Sequence, residues 1–262
     1  MENLKKMLLI DSGNTFTKFG ISKNGKLLEI LNLKNSSLTC EKLEKILSKS
    51  NFCVLCSVRP DITKLIKKVS KKTKTKIEGL NFKFFKKLIK YKTPQTLGSD
   101  RIANFLGAIS KQKPPLIIID IGSAITCDIV NKKGEFLGGF ILPGVEMCLE
   151  ALYKKTALLP HLKFRKIRKI YGDKTKNAIL LGVFNALTGG IQRCIRVLKK
   201  KFPDAKVIVT GGGYQIFKNV ISFKHTYRKN LTLEGLLCFA KILYNKSHKP
   251  DLKGGNYGKS CN

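Results

Sequence analysis

The sequence predicts a duplicated α/β protein, two similar halves with a cleft between them. Three observations lead there. Of 262 residues, 43% are hydrophobic and 26% charged, a globular balance with apolar surface enough for a core. A short apolar run that ends in aspartate, then a Gly-containing turn, a strand, a hairpin and another strand, occurs twice, beginning near Met7 and again near Leu116. Each repeat leads into helices, the alternation expected of α/β layers.

The elements follow in order. Residues 7–10 are a buried-type strand ending at Asp11. Strands over 16–22 and 26–33 flank Lys23-Asn24-Gly25, a hairpin signal. Residues 41–48 carry helical spacing, and 52–58 read as a strand closed by Arg59-Pro60. Asp61 is expected to cap a helix to about residue 70. The Lys-rich stretch 71–85 gives no clear element. Ser99 or Asp100 opens a helix through 110, and 111–115 is a linker. The second half repeats the pattern: strands over 116–119, 125–130 and 135–141, the last two across a turn at 131–134. Pro143 is expected to start a helix to about 155. Asp173 is expected to cap a long helix to about 200 that keeps Leu180, Val183, Leu187, Ile191, Cys194 and Leu198 on one face. A strand over 207–209, a turn at Gly211–Gly213 and a helix over 232–244 complete the chain. The halves divide as 1–113 and 114–245, with 246–262 a flexible tail.

Composition narrows the function. There are 51 Lys+Arg against 17 Asp+Glu, a formal net charge of +34. The densest patch is 163–169, KFRKIRK, with others at 83–92 and 199–201. Lysines spread along the whole chain read first as a solvated surface. Nucleic-acid binding is the competing reading, and anionic metabolites would also be attracted. No run of eighteen apolar residues suggests a membrane span, and the N-terminal stretch meets an acidic residue too early for a secretory signal. Eight cysteines, mostly in apolar runs, read as reduced and buried. Cys53 and Cys56 form a C-x-x-C, but on a strand they face opposite sides, and no second pair follows. Three scattered histidines argue against a His-based site.

The chemistry-bearing segments are turns. Asp11-Ser12-Gly13-Asn14-Thr15 and Asp120-Ile121-Gly122-Ser123 each set a carboxylate at a strand end before Gly and hydroxyl residues. Glycine at positive φ would turn backbone N–H groups toward phosphate oxygens, and the aspartate could hold a cation that offsets their charge. Thr210-Gly211-Gly212-Gly213 would let a flat ligand such as adenine approach the backbone, or is simply a turn. Neither a P-loop nor a G-x-G-x-x-G is present. Between the halves, Asp100 and Arg101 fall in the first turn of a helix, where anions are favoured. Asp100 reads either as a helix cap or as a carboxylate that takes a proton from a substrate hydroxyl. Arg101 reads either as a surface ion pair or as a fork for a substrate carboxylate.

Together D-S-G-N-T with Lys18, L-G-S-D-R, D-I-G-S-A-I-T, G-G-F-I-L-P-G and T-G-G resemble the type III pantothenate kinases, over residues 7–244. That family belongs with acetate and sugar kinases, heat-shock chaperone ATPases and actin. The resemblance implies duplicated ribonuclease H-like (actin-like ATPase) domains. It also implies a cytoplasmic homodimer that phosphorylates pantothenate on its primary hydroxyl to 4′-phosphopantothenate, the first step of coenzyme A synthesis. ATP, a divalent cation such as magnesium, and a monovalent cation, potassium or ammonium, are implied with it. By motif, Asp11, Ser12, Gly13, Asn14, Thr15, Phe16, Thr17 and Lys18 would wrap the ATP phosphates, and Ser123 would touch ATP. Asp100 would be the proton acceptor. Tyr91, Gly98, Ser99, Asp100, Arg101 and Thr175 would contact pantothenate, and Asp120 would bind the monovalent cation. Ser12, Ser123 and Ile125 depart from the family's usual residues; Ile125 removes a hydroxyl and leaves the bracing of its turn open. The alternatives are a noncatalytic family member acting as a transcriptional accessory factor, which would lack the Asp100/Asp120 pair, a nucleic-acid-binding protein, or another small-molecule kinase of the superfamily.

Overall fold

The computed structural model describes residues 6–248, with side chains over 6–245. The chain forms two compact units. One takes the chain up to Lys113, Gly134–Phe136 and the chain from Asn230; the other takes Pro114–Lys133 and Leu137–Lys229.

The first unit holds β1 (Met7–Ser12), β2 (Phe16–Lys23), β3 (Lys26–Lys34), α1 (Cys40–Leu47), β4 (Phe52–Ser57), α2 (Pro60–Lys72), β5 (Lys76–Gly79) and α3 (Ser99–Lys111). Its sheet runs β3-β2-β1-β4-β5. β1 and β2 are antiparallel, β2 and β3 are antiparallel, and β4 lies parallel to β1 and to β5. The β2–β3 hairpin closes on Asn24 (φ 51°) and Gly25 (φ 74°), the left-handed pair that two-residue hairpins favour. β1 is the central strand and is apolar on both faces. Leu8 and Ile10 join Leu43, Leu47, Ile62 and Ile66 of α1 and α2 in one core cluster. Its other face meets a helix from the chain's end, described below.

The second unit repeats the plan with β6 (Leu116–Ile121), β7 (Ala124–Val130), β8 (Phe136–Pro143), α4 (Val145–Lys155), α5 (Thr175–Lys201), β9 (Lys206–Thr210), α6 (Tyr214–Phe217) and β10 (His225–Tyr227). The order is β10-β9-β6-β7-β8, so the strand carrying the second aspartate is again central. Leu180, Val183, Leu187, Ile191, Cys194 and Leu198 of α5 all enter the core against β6, β7 and β9, as their spacing predicts. α5 is also long and apolar enough, by length and composition, to cross a bilayer. Here its apolar face is core, and its last turn is Lys199–Lys201.

α7 (Leu231–His248) departs from a sequential division into halves, since it lies in the first unit rather than with residues 114–229. Two glycines explain the packing. A Cβ on Gly235 would collide with the Ala103 carbonyl of α3, and one on Gly107 would lie 2.5 Å from the Leu231 carbonyl. The two helix backbones therefore touch, and Asn104 accepts a 2.9 Å bond from Thr232 across the same contact. α7 is helical through His248, where a tail was expected from 246; residues 249–262 of that tail lie outside the described residues.

Other differences are local. Asp61 does not cap α2: Pro60 takes the first helical position, where a missing N–H costs nothing, and Asp61 pairs with Arg59 instead. Asp173 likewise lies before the Lys174 cap position and accepts from Lys169 and Asn177. Pro143 ends β8, and α4 starts after Gly144 because that residue's backbone passes directly over the Gly122–Ser123 turn. The Lys-rich stretch contains β5 and a 3-10 turn at Phe82–Phe85, and the three-residue edge strand β10 carried no sequence signal.

Candidate active site

Asp11 ends the apolar part of β1 and lies across from Lys18 on β2. The tip between them, Asn14 to Phe16, is exposed, and Gly13 N–H donates to Phe16 O at 3.0 Å. Gly13 is not at positive φ; nor is Gly122 in the second turn. The expectation of left-handed glycines at both turns is therefore corrected. A two-strand hairpin closes each turn without them.

Ser12 and Thr17 face inward. They are 1% and 0% exposed, and the Thr17 hydroxyl lies 3.2 Å from Ser12 Oγ and 2.8 Å from Asn35 Oδ1. Asn35 Nδ2 donates to the carbonyls of Gly13 (2.8 Å) and Asn14 (3.1 Å). Arg59 Nη1 donates to the Asn14 carbonyl at 2.8 Å, while its other nitrogens clamp Asp61. That clamp holds the Asp61 carboxyl at about 2, well below its ordinary range. So Ser12 and Thr17 brace the tip from below, and Asn35 and Arg59 pin it from the side. Sequence reasoning missed both of the latter, because each acts across 20 or more positions.

The same sheet edge carries Asp100. Val58 N–H donates to Ser12 O at 3.1 Å beyond the paired ends of β1 and β4. Ser99 Oγ then hooks α3 onto β4: it donates to Ser57 O (3.1 Å) and accepts from Ser57 N–H (3.0 Å) and from the Cys56 thiol (3.3 Å). The first turn of α3 is thus tied to the strand next to the Asp11 turn, within one unit. Asp100 Oδ1 accepts from Arg101 N–H at 2.8 Å. Burial pushes the Asp100 carboxyl above its ordinary value, against the pull of that N–H and of the Arg101 charge. Arg101 is 6% exposed, its guanidinium 5.7 Å from the Tyr91 ring centre and 5.5 Å from that of Phe136. It is a stacked, buried cation that orders Tyr91, not the surface ion pair that sequence also allowed.

In the second unit Asp120 faces Thr126 and Ile121 faces Ile125 across the hairpin. Both isoleucines are 1% exposed, so at Ile125 apolar packing replaces the hydroxyl brace of Ser12 and Thr17. Gly122 N–H donates to Ala124 O (3.0 Å) and Gly144 N–H to Ser123 O (3.1 Å). Left-handed glycine occurs instead at Gly211 (φ 95°), after β9, where a Cβ would strike Asp120 Oδ1 and the Ile121 carbonyl. The Gly211–Gly213 turn therefore lies against the Asp120 carboxylate. Thr175 opens α5 and lines an apolar groove of about 780 Å³ between α4 and α5.

Other candidates resolve plainly. Cys53 lies in the core, its thiol pushed up by burial, and among the described residues no group of three His, Cys, Asp or Glu could hold a metal ion. The 163–169 cations are exposed, on an irregular segment held down by Leu162, Phe164 and Ile167.

Two sheets of matching order, each with an aspartate-bearing hairpin on its central strand, define the actin-like ATPase and sugar-kinase class. Solved structures share this fold: MreB5 of Spiroplasma citri bound to ADP (13% identical, 94% of this chain and 99% of that one, TM-score 0.51) and a Baf family protein from Campylobacter jejuni (23%, 94% and 100%, TM-score 0.58). Within that class, the type III pantothenate kinase family model matches residues 7–197. A type III pantothenate kinase of Persephonella marina is 34% identical over 247 residues, 88% of this chain and 96% of that protein. The chain belongs to the type III pantothenate kinase family, and is a kinase that uses ATP.

Proposed function

We propose that the chain transfers the γ-phosphoryl group of ATP to the primary hydroxyl of pantothenate, giving 4′-phosphopantothenate for coenzyme A synthesis, with Asp100 as proton acceptor. The observation that carries this is the tie from Asp100 through Ser99 and β4 to the Asp11 turn, which puts a buried carboxylate and a phosphate-type turn on neighbouring strand ends. Phosphoryl transfer asks a protein mainly for positioning and charge neutralisation. The Asp11–Lys18 hairpin, braced by Asn35 and Arg59, holds the phosphates through its exposed tip, and Ser123 adds a hydroxyl. The hydroxyl oxygen attacks phosphorus, its proton passes to Asp100, and ADP leaves. A carboxyl raised by burial suits this role, because it holds a transferred proton more tightly than an exposed aspartate does. Tyr91, Gly98, Ser99, Arg101 and Thr175 contact the acceptor.

Asp120 fits a monovalent cation, potassium or ammonium: it is a hard carboxylate oxygen beside Gly211, where a side chain would fill the approach. Asp11 is the carboxylate that would face magnesium carried with the nucleotide; such a cation supplies charge neutralisation. A second copy of the chain would bury apolar surface of the second unit: the groove that Thr175 lines is apolar, and Met147, Leu158, Ile170 and Tyr171 are 52%, 91%, 98% and 75% exposed. Cys40, Cys53, Cys56, Cys127, Cys148 and Cys194 are free thiols and Cys238 is disulfide-bonded, so the cysteines do not fix the compartment; we assign the enzyme to the cytoplasm from its membership of a metabolic kinase family. No observation favours the transcriptional or nucleic-acid alternative.

The test is ADP release with ATP and pantothenate, with and without potassium. Pantothenate-dependent release that potassium stimulates is expected; release indifferent to pantothenate contradicts the reading.

A further inference from the structure

The guanidinium of Arg59 rests on the tip of the Asp11 hairpin. Nε and Nη2 donate to Asp61 Oδ1 and Oδ2 at 2.8 and 2.6 Å, and Nη1 donates to the Asn14 carbonyl at 2.8 Å. The Asp61 grip fixes the guanidinium plane, and the Asn14 bond places its Nη1 edge on the turn. A guanidinium carries more N–H donors than these contacts use, which leaves one on Nη1 and one on Nη2 without a partner among the described residues. The side chain is 34% exposed, so a ligand can reach it from solvent. An exposed ion pair by itself is worth little. Here the pair orients a planar fork at a turn built for phosphate.

The backbone of Arg59 is fixed to the strand end beside the base. Its N–H donates to Ser57 Oγ at 3.1 Å, and its carbonyl accepts from Ser57 Oγ at 3.1 Å and from Thr63 Oγ1 at 2.9 Å. Ser57 is also the residue that Ser99 hooks, one position before Asp100. Arg59 therefore starts at the Asp100 end of the site and reaches back to the phosphate turn, all within one unit. Asp61 pushes the guanidinium above its already high ordinary value, so Arg59 stays charged at any working pH.

We propose that Arg59 is a further catalytic residue of the transfer, its outer Nη1 and Nη2 edge holding non-bridging oxygens of the γ-phosphoryl group. The proposal rests on the phosphoryl-transfer reading above and adds a cation to it. The acceptor oxygen bonds to phosphorus, the bond to the ADP oxygen breaks, and the acceptor proton goes to Asp100. Arg59 gives up no proton; it meets the charge spread over the phosphoryl oxygens as they pass between the two. A planar fork suits this better than a point charge, because it matches two phosphate oxygens at once.

The experiment measures kcat and KM for ATP at saturating pantothenate in wild type, Arg59→Ala, Arg59→Lys and Asn35→Ala, with thermal unfolding of each. Asn35→Ala is the control for a loosened tip. If Arg59 only pins the turn, Arg59→Ala repeats that control: KM for ATP rises and kcat stays. A phosphoryl contact instead lowers kcat by about 10- to 100-fold in Arg59→Ala, and Arg59→Lys, which keeps the charge without the fork, recovers part of it. Millimolar guanidinium should raise the Arg59→Ala rate several-fold, and urea, which is planar but neutral, should not. A wild-type kcat in either Arg59 variant, or rescue by urea as good as by guanidinium, overturns the role of Arg59 and leaves the kinase reading intact. Should Arg59→Ala not fold, kcat of Arg59→Lys decides. A wild type that transfers nothing to pantothenate overturns the phosphoryl-transfer reading and this proposal with it.

Discussion

Asn35→Ala should loosen the phosphate turn without touching a reacting group. The side chain makes three bonds: 2.8 Å from the Thr17 hydroxyl, and 2.8 and 3.1 Å to the carbonyls of Gly13 and Asn14. Each such bond contributes about 0.5–1.5 kcal/mol net. The two carbonyls lie near the surface and recover water when the amide is removed, so most of the loss comes from the Thr17 contact. Thr17 keeps its bond to Ser12, which limits the penalty further. The sum is about 1–2 kcal/mol, a fall in Tm of roughly 2–8 °C for a chain of this size. The turn's tip then samples more conformations, and KM for ATP should rise about 3- to 10-fold while KM for pantothenate stays put. Asn35→Asp should be worse, since it keeps the acceptor for Thr17 but sets a carboxylate against two carbonyls and the incoming phosphates. Thermal unfolding and ATP-dependent initial rates measure both. An Asn35→Ala protein with wild-type Tm and wild-type KM for ATP would refute the bracing argument.

Gly235→Ala should destabilise by about 2–3 kcal/mol, because the new methyl meets the rigid Ala103 carbonyl of α3 and not a movable side chain; the denaturant midpoint reads it. Asp120→Ala should remove the potassium response of the rate; a variant that potassium still activates as it does wild type takes Asp120 out of the cation site. The acid limb of kcat/KM should lie above the ordinary aspartate range of about 3.9, since burial raises the Asp100 carboxyl, so activity falls as pH drops through that raised value. The sign for stability is opposite: a carboxyl raised in the folded state adds stability that is present when protonated and is lost as pH rises, so Asp100→Asn should be at least as stable as wild type at neutral pH, checked by thermal unfolding.

Much of the fold was legible in the sequence because the two sheets are written in local signals. Apolar runs ending at Asp11 and Asp120 mark the central strands, Asn24-Gly25 marks a hairpin, and the spacing from Leu180 to Leu198 marks the buried face of α5. What could not be read is tertiary. α7 joins the first unit because Gly107 and Gly235 let two backbones touch, and nothing in the residues 231–248 alone says which partner they meet. Asn35 and Arg59 looked like ordinary loop residues until folding carried them to Gly13 and Asn14. The positive-φ glycine was expected in the hairpins and is found at Gly211, against Asp120, because the close approach arises between β9 and β6, not inside either turn. At Ile125, the loss of a hydroxyl became intelligible once Ile121 was seen opposite it in the core.

The most direct test of the whole account is the Asp100→Asn variant assayed with ATP, magnesium, potassium and pantothenate, alongside nucleotide binding by calorimetry. Transfer to the acceptor, followed by the phosphorus resonance of 4′-phosphopantothenate, should slow by about 10²–10⁴-fold while ATP affinity stays within a few-fold of wild type. An Asp100→Asn protein that forms product at the wild-type rate would contradict a base at the start of α3.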